Sequence, residues 1–287
     1  MKVEILAADS MGVRSLATFV EMCGLAIAVD LGASLAPRRY GLPPHEVEVE
    51  ELERRLDLIR RRLGEAQIAI ITHYHYDHYM AGEPELYYGK TVFVKHPKEF
   101  INVSQRIRAH RFLVRGGVSE RADVRVADGM TYEVEGVRIR FSPPVWHGEP
   151  GTKVGRVVMV ALECDEGTVV FGSDVQGPVD DEALEWLIGI KKPDVVIIDG
   201  PPTYFAGYKV PVEAVRRGLE NLATLIRVVK PRVVVVDHHM ARDRRVEEIL
   251  ASVREKSGGD AVLAATFMGR EPRLLEAFRR ELWSGGG

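Results

Sequence analysis

The 287-residue sequence predicts a protein of the α/β class. Its second half alternates short apolar runs with longer amphipathic stretches, which is the pattern of strands and helices in such folds. A hydrophobic content of 46% can bury a large core, and no Ser- or Gly-rich linker divides the chain. We therefore expect a single domain that spans residues 1–287.

The individual elements follow from local patterns along the chain. Apolar runs bounded by turn residues predict strands, and apolar residues spaced by three or four positions predict helices. The predicted strands cover residues 3–7, 16–20, 25–29, 67–71, 91–95, 123–126, 131–134, 137–141, 156–163, 168–171, 195–198 and 233–236. The predicted helices cover residues 47–63, 180–190, 212–229, 244–256 and 272–282, and the terminal glycines 285–287 are expected to fray.

Three histidines and an aspartate follow the buried strand at residues 67–71. They form the pattern His-x-His-x-Asp-His, which runs from His73 to His78. A strand end fixes the backbone, while the loop after it lets neighbouring side chains converge on one point. Imidazole nitrogens and carboxylate oxygens suit zinc, iron or manganese, and the lack of cysteine argues against a structural zinc cage. This stretch therefore predicts a metal site.

The His-x-His-x-Asp-His pattern after a hydrophobic strand resembles the signature of the metallo-β-lactamase superfamily. The resemblance covers nearly the whole chain. It implies an αββα sandwich, in which two mixed sheets face each other, helices cover the outside and two metals sit at one edge. Within the superfamily the chain looks closest to an archaeal branch, for which the resemblance implies hydrolase chemistry but no particular substrate.

The superfamily pattern also implies a His, an Asp and a His at later strand ends. His147 follows the strand at 137–141, and Asp174 ends a buried run where a carboxylate needs a partner or a metal. At the last strand end we favour His238, with the adjacent His239 as the alternative. The implied ligands are His73, His75 and His147 for one metal, Asp77, His78 and His238 for the other, and Asp174 as the bridge.

We predict that Asp77 and Asp174 are catalytic and that the cofactor is a pair of divalent ions, zinc first, with manganese or iron as alternatives. A water between two such ions loses its proton near neutral pH, which supplies a hydroxide nucleophile without serine or cysteine. Asp199 and Asp237 are predicted to orient ligand histidines through hydrogen bonds. The resemblance implies the same for Asp30, which can alternatively be a turn residue.

Residues 95–115 carry six basic side chains against one acid, a net charge of +5, with apolar residues interleaved. Such a run is typical of a solvated helix face, or it overhangs the site and attracts an anionic substrate. Beside the histidine at 147, the glycine-rich turn at 148–155 offers further polar side chains. The candidate substrate contacts are Arg106, Arg108, Arg111, Thr152 and Lys153.

Composition limits the partners and the location. A formal net charge of −3 at pH 7 shows no global bias toward nucleic acid. Cys23 and Cys164, the two cysteines, lie in apolar surroundings that predict two buried free thiols. No signal peptide or membrane span is visible, so we expect a cytoplasmic location. Few amide side chains beside many charged ones favour a thermophilic source.

Three classes of function share such a site. We favour hydrolysis of a small anionic ester, lactone or phosphodiester. A nuclease of the tRNA-processing type is the alternative, and residues 95–115 are the only feature in its favour. A non-catalytic metal-bound sensor is the third class, and the complete ligand set argues against it. We expect a small-molecule substrate and no membrane partner, with nucleic acid less favoured and a homo-oligomer left open.

Overall fold

The computed structural model describes residues 1–285 of the chain. The stretch expected to fray includes Gly286 and Gly287, which lie outside the described residues. Two large sheets contain most of the strands. The first sheet follows chain order and consists of β1 (Lys2–Ala8), β2 (Leu16–Met22), β3 (Leu25–Val29), β4 (Ile68–Ile71), β5 (Thr91–Val94) and β6 (Asp123–Val126).

The remaining strands form a second sheet and a short ribbon. They are β7 (Thr131–Val134), β8 (Val137–Phe141), β9 (Val145–Trp146), β10 (Arg156–Val157), β11 (Val160–Cys164), β12 (Gly167–Phe171), β13 (Val195–Asp199), β14 (Val233–Asp237) and β15 (Ala261–Val262). The sheet has the spatial order β15-β14-β13-β12-β11-β8-β7, and β9 pairs with β10 as the ribbon. Both sheets are mixed, since β3 to β6 and β12 to β15 pair in parallel and the other neighbours pair antiparallel.

Helices cover the outer faces of both sheets. Ile59 of the first helix packs on one sheet and Leu222 of the fifth packs on the other, while Phe93 and Phe171 belong to the core between the sheets. These four layers confirm the αββα sandwich. The helices are α1 (Glu46–Glu65), α2 (Val103–His110), α3 (Val118–Arg121), α4 (Asp181–Ile188), α5 (Val212–Val229), α6 (Val246–Ser257), α7 (Ala264–Phe267) and α8 (Arg279–Trp283). Each helix within residues 1–285 is too short or too polar to cross a lipid bilayer.

Two predicted elements are shorter in the structure. The expected strand at 156–163 is split into β10 and β11, which join different sheets. The expected helix at 272–282 is reduced to α8, because the backbone N–H of Arg273 bonds to the carbonyl of Ser10 instead of continuing a helix. Two ion pairs hold this last segment against the body of the protein. They are Arg14 with Glu276 and Glu48 with Arg279.

The prediction of two free thiols is wrong. Cys23 lies in the turn between β2 and β3, Cys164 ends β11, and the two sulfurs form a disulfide with a Cα–Cα distance of 6.6 Å. Because the cysteines are 141 positions apart, only the stacking of one sheet on the other brings them together. Intracellular disulfides are rare in mesophiles but common in hyperthermophilic archaea.

Candidate metal centre

Loops after parallel strands form the edge of the sandwich that bears the predicted ligands. β3 and β4 run parallel in one sheet, and β12, β13 and β14 run parallel in the other, so their carboxyl ends share an edge within each sheet. The loop 73–78 follows β4, Asp174 follows β12, and His238 follows β14. His147 follows the ribbon strand β9. The fold thereby brings all four predicted ligand segments together.

Three residues next to these strand ends have left-handed backbone conformations. The φ angle is 49° at Asp30, 53° at Ser173 and 58° at His238. Such angles cost about 1–3 kcal/mol each for residues other than glycine, and they persist where the surrounding structure enforces them. The strain turns the chain at the end of each strand, where Asp30 and His238 direct their side chains into the site.

The Asp174 carboxylate lies at the centre of the cluster. Its Oδ2 faces four ring nitrogens, and all five side chains are buried. The distances from Oδ2 are 3.5 Å to His73 Nε2, 3.3 Å to His78 Nε2, 3.1 Å to His147 Nε2 and 3.2 Å to His238 Nε2. One carboxylate oxygen therefore touches histidines from three separate segments of the chain.

The other two predicted ligands lie on the open side of the cluster. His75 Nδ1 is 3.1 Å from His73 Nε2, and Asp77 Oδ2 is 3.8 Å from His238 Nε2. Both residues are partly exposed. The ligand atoms form two groups that could each hold an ion. The first group consists of His73, His75, His147 and Asp174, and the second consists of Asp77, His78 and His238. The structure thus assembles the groups that the sequence analysis assigned to two metals.

The spacing of these atoms fits divalent ions. With zinc–nitrogen bonds of about 2.0–2.1 Å, tetrahedral geometry places two ligand atoms about 3.3 Å apart. The separations around Asp174 Oδ2, between 3.1 and 3.5 Å, match this value. His78 Nε2 and Asp174 Oδ1 are buried and have no hydrogen-bond partner within residues 1–285. Buried polar atoms are seldom left in this state, and coordination to a cation would satisfy both.

Asp30 holds the ring of His78, as the resemblance implied. Its Oδ2 is 2.9 Å from His78 Nδ1, and both carboxylate oxygens also accept hydrogen bonds from Thr72. Because Nδ1 is engaged, Nε2 is the nitrogen left to face Asp174. Oriented imidazoles of this kind are typical of metal-binding histidines.

Asp9 orients the ring of His238 in the same way, and this role of Asp9 was not predicted from the sequence. Asp9 Oδ2 is 2.8 Å from His238 Nδ1, and its Oδ1 accepts a 2.7 Å hydrogen bond from Arg242 Nε. The predicted partner, Asp237, instead accepts hydrogen bonds from the backbone N–H groups of Ser10 and His238 and from that of the residue at position 264. It anchors the loop rather than the imidazole ring.

Asp199 orients the alternative ligand. It accepts a hydrogen bond from the backbone N–H of His239, and its Oδ2 is 2.8 Å from His239 Nδ1. The ligand atoms of Asp174, His238 and His239 lie close enough to form a third group. His238 Nε2, however, contacts both Asp77 and Asp174, which favours His238 over His239 as the ligand.

Burial and charge shift the pKa values of the neighbouring imidazoles in opposite directions. Burial, reinforced by His78, lowers the pKa of His73 to about 4. Burial would also lower the pKa of His238, but the carboxylates of Asp174 and Asp9 together outweigh it and raise that pKa to about 10. Burial would raise the pKa of Asp174, yet the histidines around it hold that pKa well below its usual value. A cation bound beside the ionised Asp174 would displace the proton that this carboxylate stabilises on His238.

A cavity of about 730 Å³ opens above the cluster. Of the predicted basic contacts, Arg108 lines this cavity, whereas Arg106 and Arg111 line a different one. Thr152 and Lys153 are not among the residues that line it, although the adjacent residue at 154 is. The basic side chains along the cavity wall are Arg14, Arg108, Lys209 and Arg242.

Two residues that support the site, Gln105 and Asp9, were not predicted from the sequence. The buried Gln105 ties two loops together, since its Oε1 accepts a hydrogen bond from the backbone of Tyr74 and its Nε2 donates to the carbonyl of Val154. No local pattern could reveal these contacts. Asp9, in contrast, follows the first strand just as Asp30 follows the third, and that shared position was an available signal.

Comparison with known proteins gives the family and the fold of the chain. A model of the beta-lactamase superfamily domain matches residues 48–239. A UPF0282 protein of Aeropyrum pernix is 53% identical and covers 99% of both chains. The solved structure of the metallo-beta-lactamase fold protein YhfI from Bacillus subtilis is 10% identical, with a TM-score of 0.57 over 94% of this chain and 97% of that one. Isothiocyanate hydrolase from Delia radicum gut bacteria is 15% identical, with a TM-score of 0.53 over 88% and 94%.

The fold and the domain match define a protein of the metallo-β-lactamase superfamily, as the motif indicated. The two solved structures contribute the fold alone, because their sequences have diverged too far to carry function. Within the superfamily the chain belongs to the UPF0282 family, which has members in thermophilic archaea.

Proposed function

We propose that the protein is a hydrolase that uses two divalent metal ions and acts on a small anionic ester, lactone or phosphodiester. The observation that carries the proposal is the position of Asp174, whose Oδ2 lies within 3.5 Å of four buried histidine nitrogens beneath an open cavity. Family membership supports it, since the superfamily consists largely of metal-dependent hydrolases. Zinc is the favoured ion, with manganese or iron as alternatives.

Seven side chains would hold the two ions. Asp174 would contribute to holding both ions, and Asp77 and Asp174 would be the carboxylates closest to the reacting atoms. The histidines of the loop 73–78 are divided between the two ions. One ion would be held by His73, His75 and His147, and the other by Asp77, His78 and His238.

When bound, the ions would lower the pKa of a water molecule and polarise the bond under attack. The residues of the chain would orient both partners. Asp30 and Asp9 keep the Nε2 atoms of His78 and His238 turned toward Asp174. Arg108 and other cations of the cavity wall would bind the anionic part of the substrate and place its scissile bond above the ligands.

A nuclease that grips RNA through residues 95–115 is less favoured. Arg106 and Arg111 line a cavity other than that of the candidate centre, so these two arginines would not guide a substrate toward the ligands. A non-catalytic sensor is also less favoured, because the full set of predicted ligands is present.

Metal analysis and activity assays on the same preparations test the proposal. We expect about two ions per chain, because seven converging ligands exceed what one tetrahedral ion takes. Asp174→Ala should lose or scramble both ions and abolish hydrolysis of bis(p-nitrophenyl) phosphate, p-nitrophenyl acetate and simple lactones. Asp165→Ala, which removes an exposed carboxylate in a turn, serves as the matched control and should behave as the wild type. A wild-type protein that contains no metal and binds neither zinc nor manganese would refute the proposal.

A further inference from the structure

A second cavity, of about 770 Å³, adjoins the metal-site cavity. The two cavities share wall residues, among them His239 and Arg242. Within residues 1–285, basic and aromatic side chains line the second cavity, and no carboxylate does. We name six of its wall residues the aromatic annex, of which Phe205 and Lys209 also line the metal-site cavity. The annex consists of Arg38, Arg39, Tyr204, Phe205, Tyr208 and Lys209.

The annex carries positive charge that the protein leaves unneutralised. Two other cations of the same wall are paired, since Arg14 binds Glu276 at 2.6 Å and Arg242 binds Asp9 at 2.7 Å. Arg38, Arg39 and Lys209 form no ion pair with any described residue, so three charges remain available. Clustered cations without acidic neighbours attract anionic ligands, and arginine suits phosphate because its planar fork can donate two hydrogen bonds.

The aromatic side chains provide flat surfaces beside these charges. The rings of Tyr204 and Phe205 are 4.0 Å apart at their centroids, and the guanidinium of Arg39 stacks 4.2 Å from the centroid of Tyr204. Lys209 Nζ is 4.7 Å from the centroid of Phe205. Tyr208 is 79% exposed, which leaves its ring free for stacking. Aromatic rings next to cations are the usual means of holding a nucleobase without reading its sequence.

Two buried donors of the annex lack partners. Arg39 Nε and Tyr204 Oη are both inaccessible and form no hydrogen bond within the described part of the chain. Arg39 Nη2 is engaged with the carbonyl of Arg242, which fixes its guanidinium against the metal-site wall. Buried donors are seldom left unsatisfied in native proteins, and a polar ligand in the cavity would supply the missing acceptors.

We infer that the annex binds a nucleotide-like arm of a phosphodiester substrate, that is, a planar heterocyclic ring that also carries a phosphate. This inference rests on the proposed hydrolase function and narrows its substrate class. A small ester would occupy only the metal-site cavity of about 730 Å³, whereas the second cavity has room for a further group of the substrate. The three unpaired cations match a second anionic group, and the rings match the heterocycle.

The reaction is a simple hydrolysis. The oxygen of one water molecule forms a bond to phosphorus, and the ester bond between phosphorus and one arm breaks. One proton of that water ends on the departing oxygen, and the other ionises from the new phosphomonoester. No oxidant, reductant or further co-reactant is needed.

Binding to the metal-free protein tests the annex without turnover. We would treat the full chain with EDTA and titrate it calorimetrically with 5′-phosphorylated adenylyl-adenosine (pApA) and, separately, with inorganic pyrophosphate, which has charge but no ring. The double variant Arg38→Ala/Lys209→Ala should weaken the binding of both probes by about 10-fold or more, since each lost phosphate contact costs a factor of several. Tyr208→Ala should weaken pApA by about 10-fold, as expected for one stacked base, and leave pyrophosphate unchanged.

The matched control is Arg61→Ala/Arg217→Ala, which removes two exposed arginines outside the annex and the metal-site cavity and should bind both probes as the wild type does. Equal affinity of the annex variants and the wild type for pApA would overturn the inference. So would binding of a single-stranded oligonucleotide of twelve adenosines more than about 10-fold tighter than pApA, since that result would assign the surface to nucleic acid.

The metal-loaded protein separates the two proposals. The Tyr208→Ala variant, whose side chain lines the second cavity and not the metal-site cavity, should hydrolyse bis(p-nitrophenyl) phosphate with the kcat of the wild type, while its KM for pApA rises in parallel with the loss of binding. If wild-type protein binds pApA through the annex but hydrolyses no ester, the hydrolase proposal fails and the binding site stands. If the small phosphodiester is cleaved and the annex variants do not alter pApA binding, the annex inference fails alone.

Discussion

Asp9 and His238 are 229 positions apart in the chain, yet Asp9 Oδ2 lies 2.8 Å from His238 Nδ1. Asp9 follows β1 of one sheet and His238 follows β14 of the other, so this contact joins the two sheets at the candidate centre. The Asp9 carboxylate also accepts a hydrogen bond from Arg242 Nε. The orientation of one predicted ligand therefore depends on the packing of the whole sandwich.

The first prediction concerns this contact. Asp9→Asn keeps the size of the side chain but removes the charge that orients His238 and neutralises Arg242. Metal affinity should fall by about 10- to 100-fold, as is usual when a carboxylate behind a ligand histidine is lost. Competition titration with a chelator of known affinity measures the change. Asp165→Asn should leave the affinity unaltered, and an equally small effect of both variants would show that Asp9 does not support the ligand.

A pair of single substitutions distinguishes the adjacent histidines. His238→Ala should lower the metal content from about two ions per chain to about one, because its Nε2 contacts both Asp77 and Asp174. His239→Ala should keep both ions, since the group of ligand atoms that contains Asp77 and His78 includes His238 and not His239. Elemental analysis of the two purified variants gives the answer. The opposite pattern would assign the ligand to His239.

Substitution of Gly32 tests how tightly the end of the metal-binding loop packs against this residue. A Cβ atom at this position would lie 2.2 Å from the backbone nitrogen of Tyr79 and 2.7 Å from the carbonyl carbon of His78. Gly32→Ala must therefore displace the loop, and we expect a loss of about 1–3 kcal/mol in the free energy of unfolding together with weaker metal binding.

Gly64 in α1 supplies the contrast to Gly32. A Cβ there meets nothing within 4 Å, so Gly64→Ala should stabilise the protein by about 0.5–1 kcal/mol and leave the metals in place. Denaturant unfolding of the metal-free proteins measures both changes. Equal stabilities of the two variants would contradict the close packing of the loop against Gly32.

The disulfide should matter for stability and not for metal binding. Cys23 and Cys164 lie just before β3 and β12, whose far ends lead to Asp30 and Asp174. Opening a loop of 141 positions costs up to about 5 kcal/mol in the chain-entropy treatment. Cys23→Ser should therefore lower the Tm by roughly 10 °C without changing the metal content.

Reduction provides an independent check of that prediction. Wild-type protein melted in the presence of a strong reductant should unfold at the Tm of Cys23→Ser, and the reductant should not affect the variant. Titration of two free thiols in the untreated, unfolded protein would show that the bond does not form.

The positions of most strands and the metal-binding character of the loop 73–78 could be read from local sequence, whereas the resemblance supplied His147, Asp174 and His238. The loop 73–78, His147, Asp174 and His238 each follow an apolar run, and strand ends of parallel sheets meet at one edge whatever their distance along the chain. The role of Asp30 was likewise implied by the resemblance. The grouping of the ligands then followed from the resemblance, because their order along the chain matched a known pattern.

Contacts between distant segments were decided by the tertiary structure alone. The partnership of Asp9 with His238, the bond between Cys23 and Cys164, and the loop contacts of Gln105 join residues whose local sequences carry no sign of each other. The basic segment illustrates the same limit, since its charge was evident but the direction of Arg108 into the cavity was not.

Periodicity along a chain reports which face of an element is buried, and it was sufficient to place the strand ends that carry the ligands. It says nothing about which other element covers that face. The register of one sheet against the other, and with it the aromatic annex and the partners of the ligand histidines, arises only when long-range packing has selected a single arrangement.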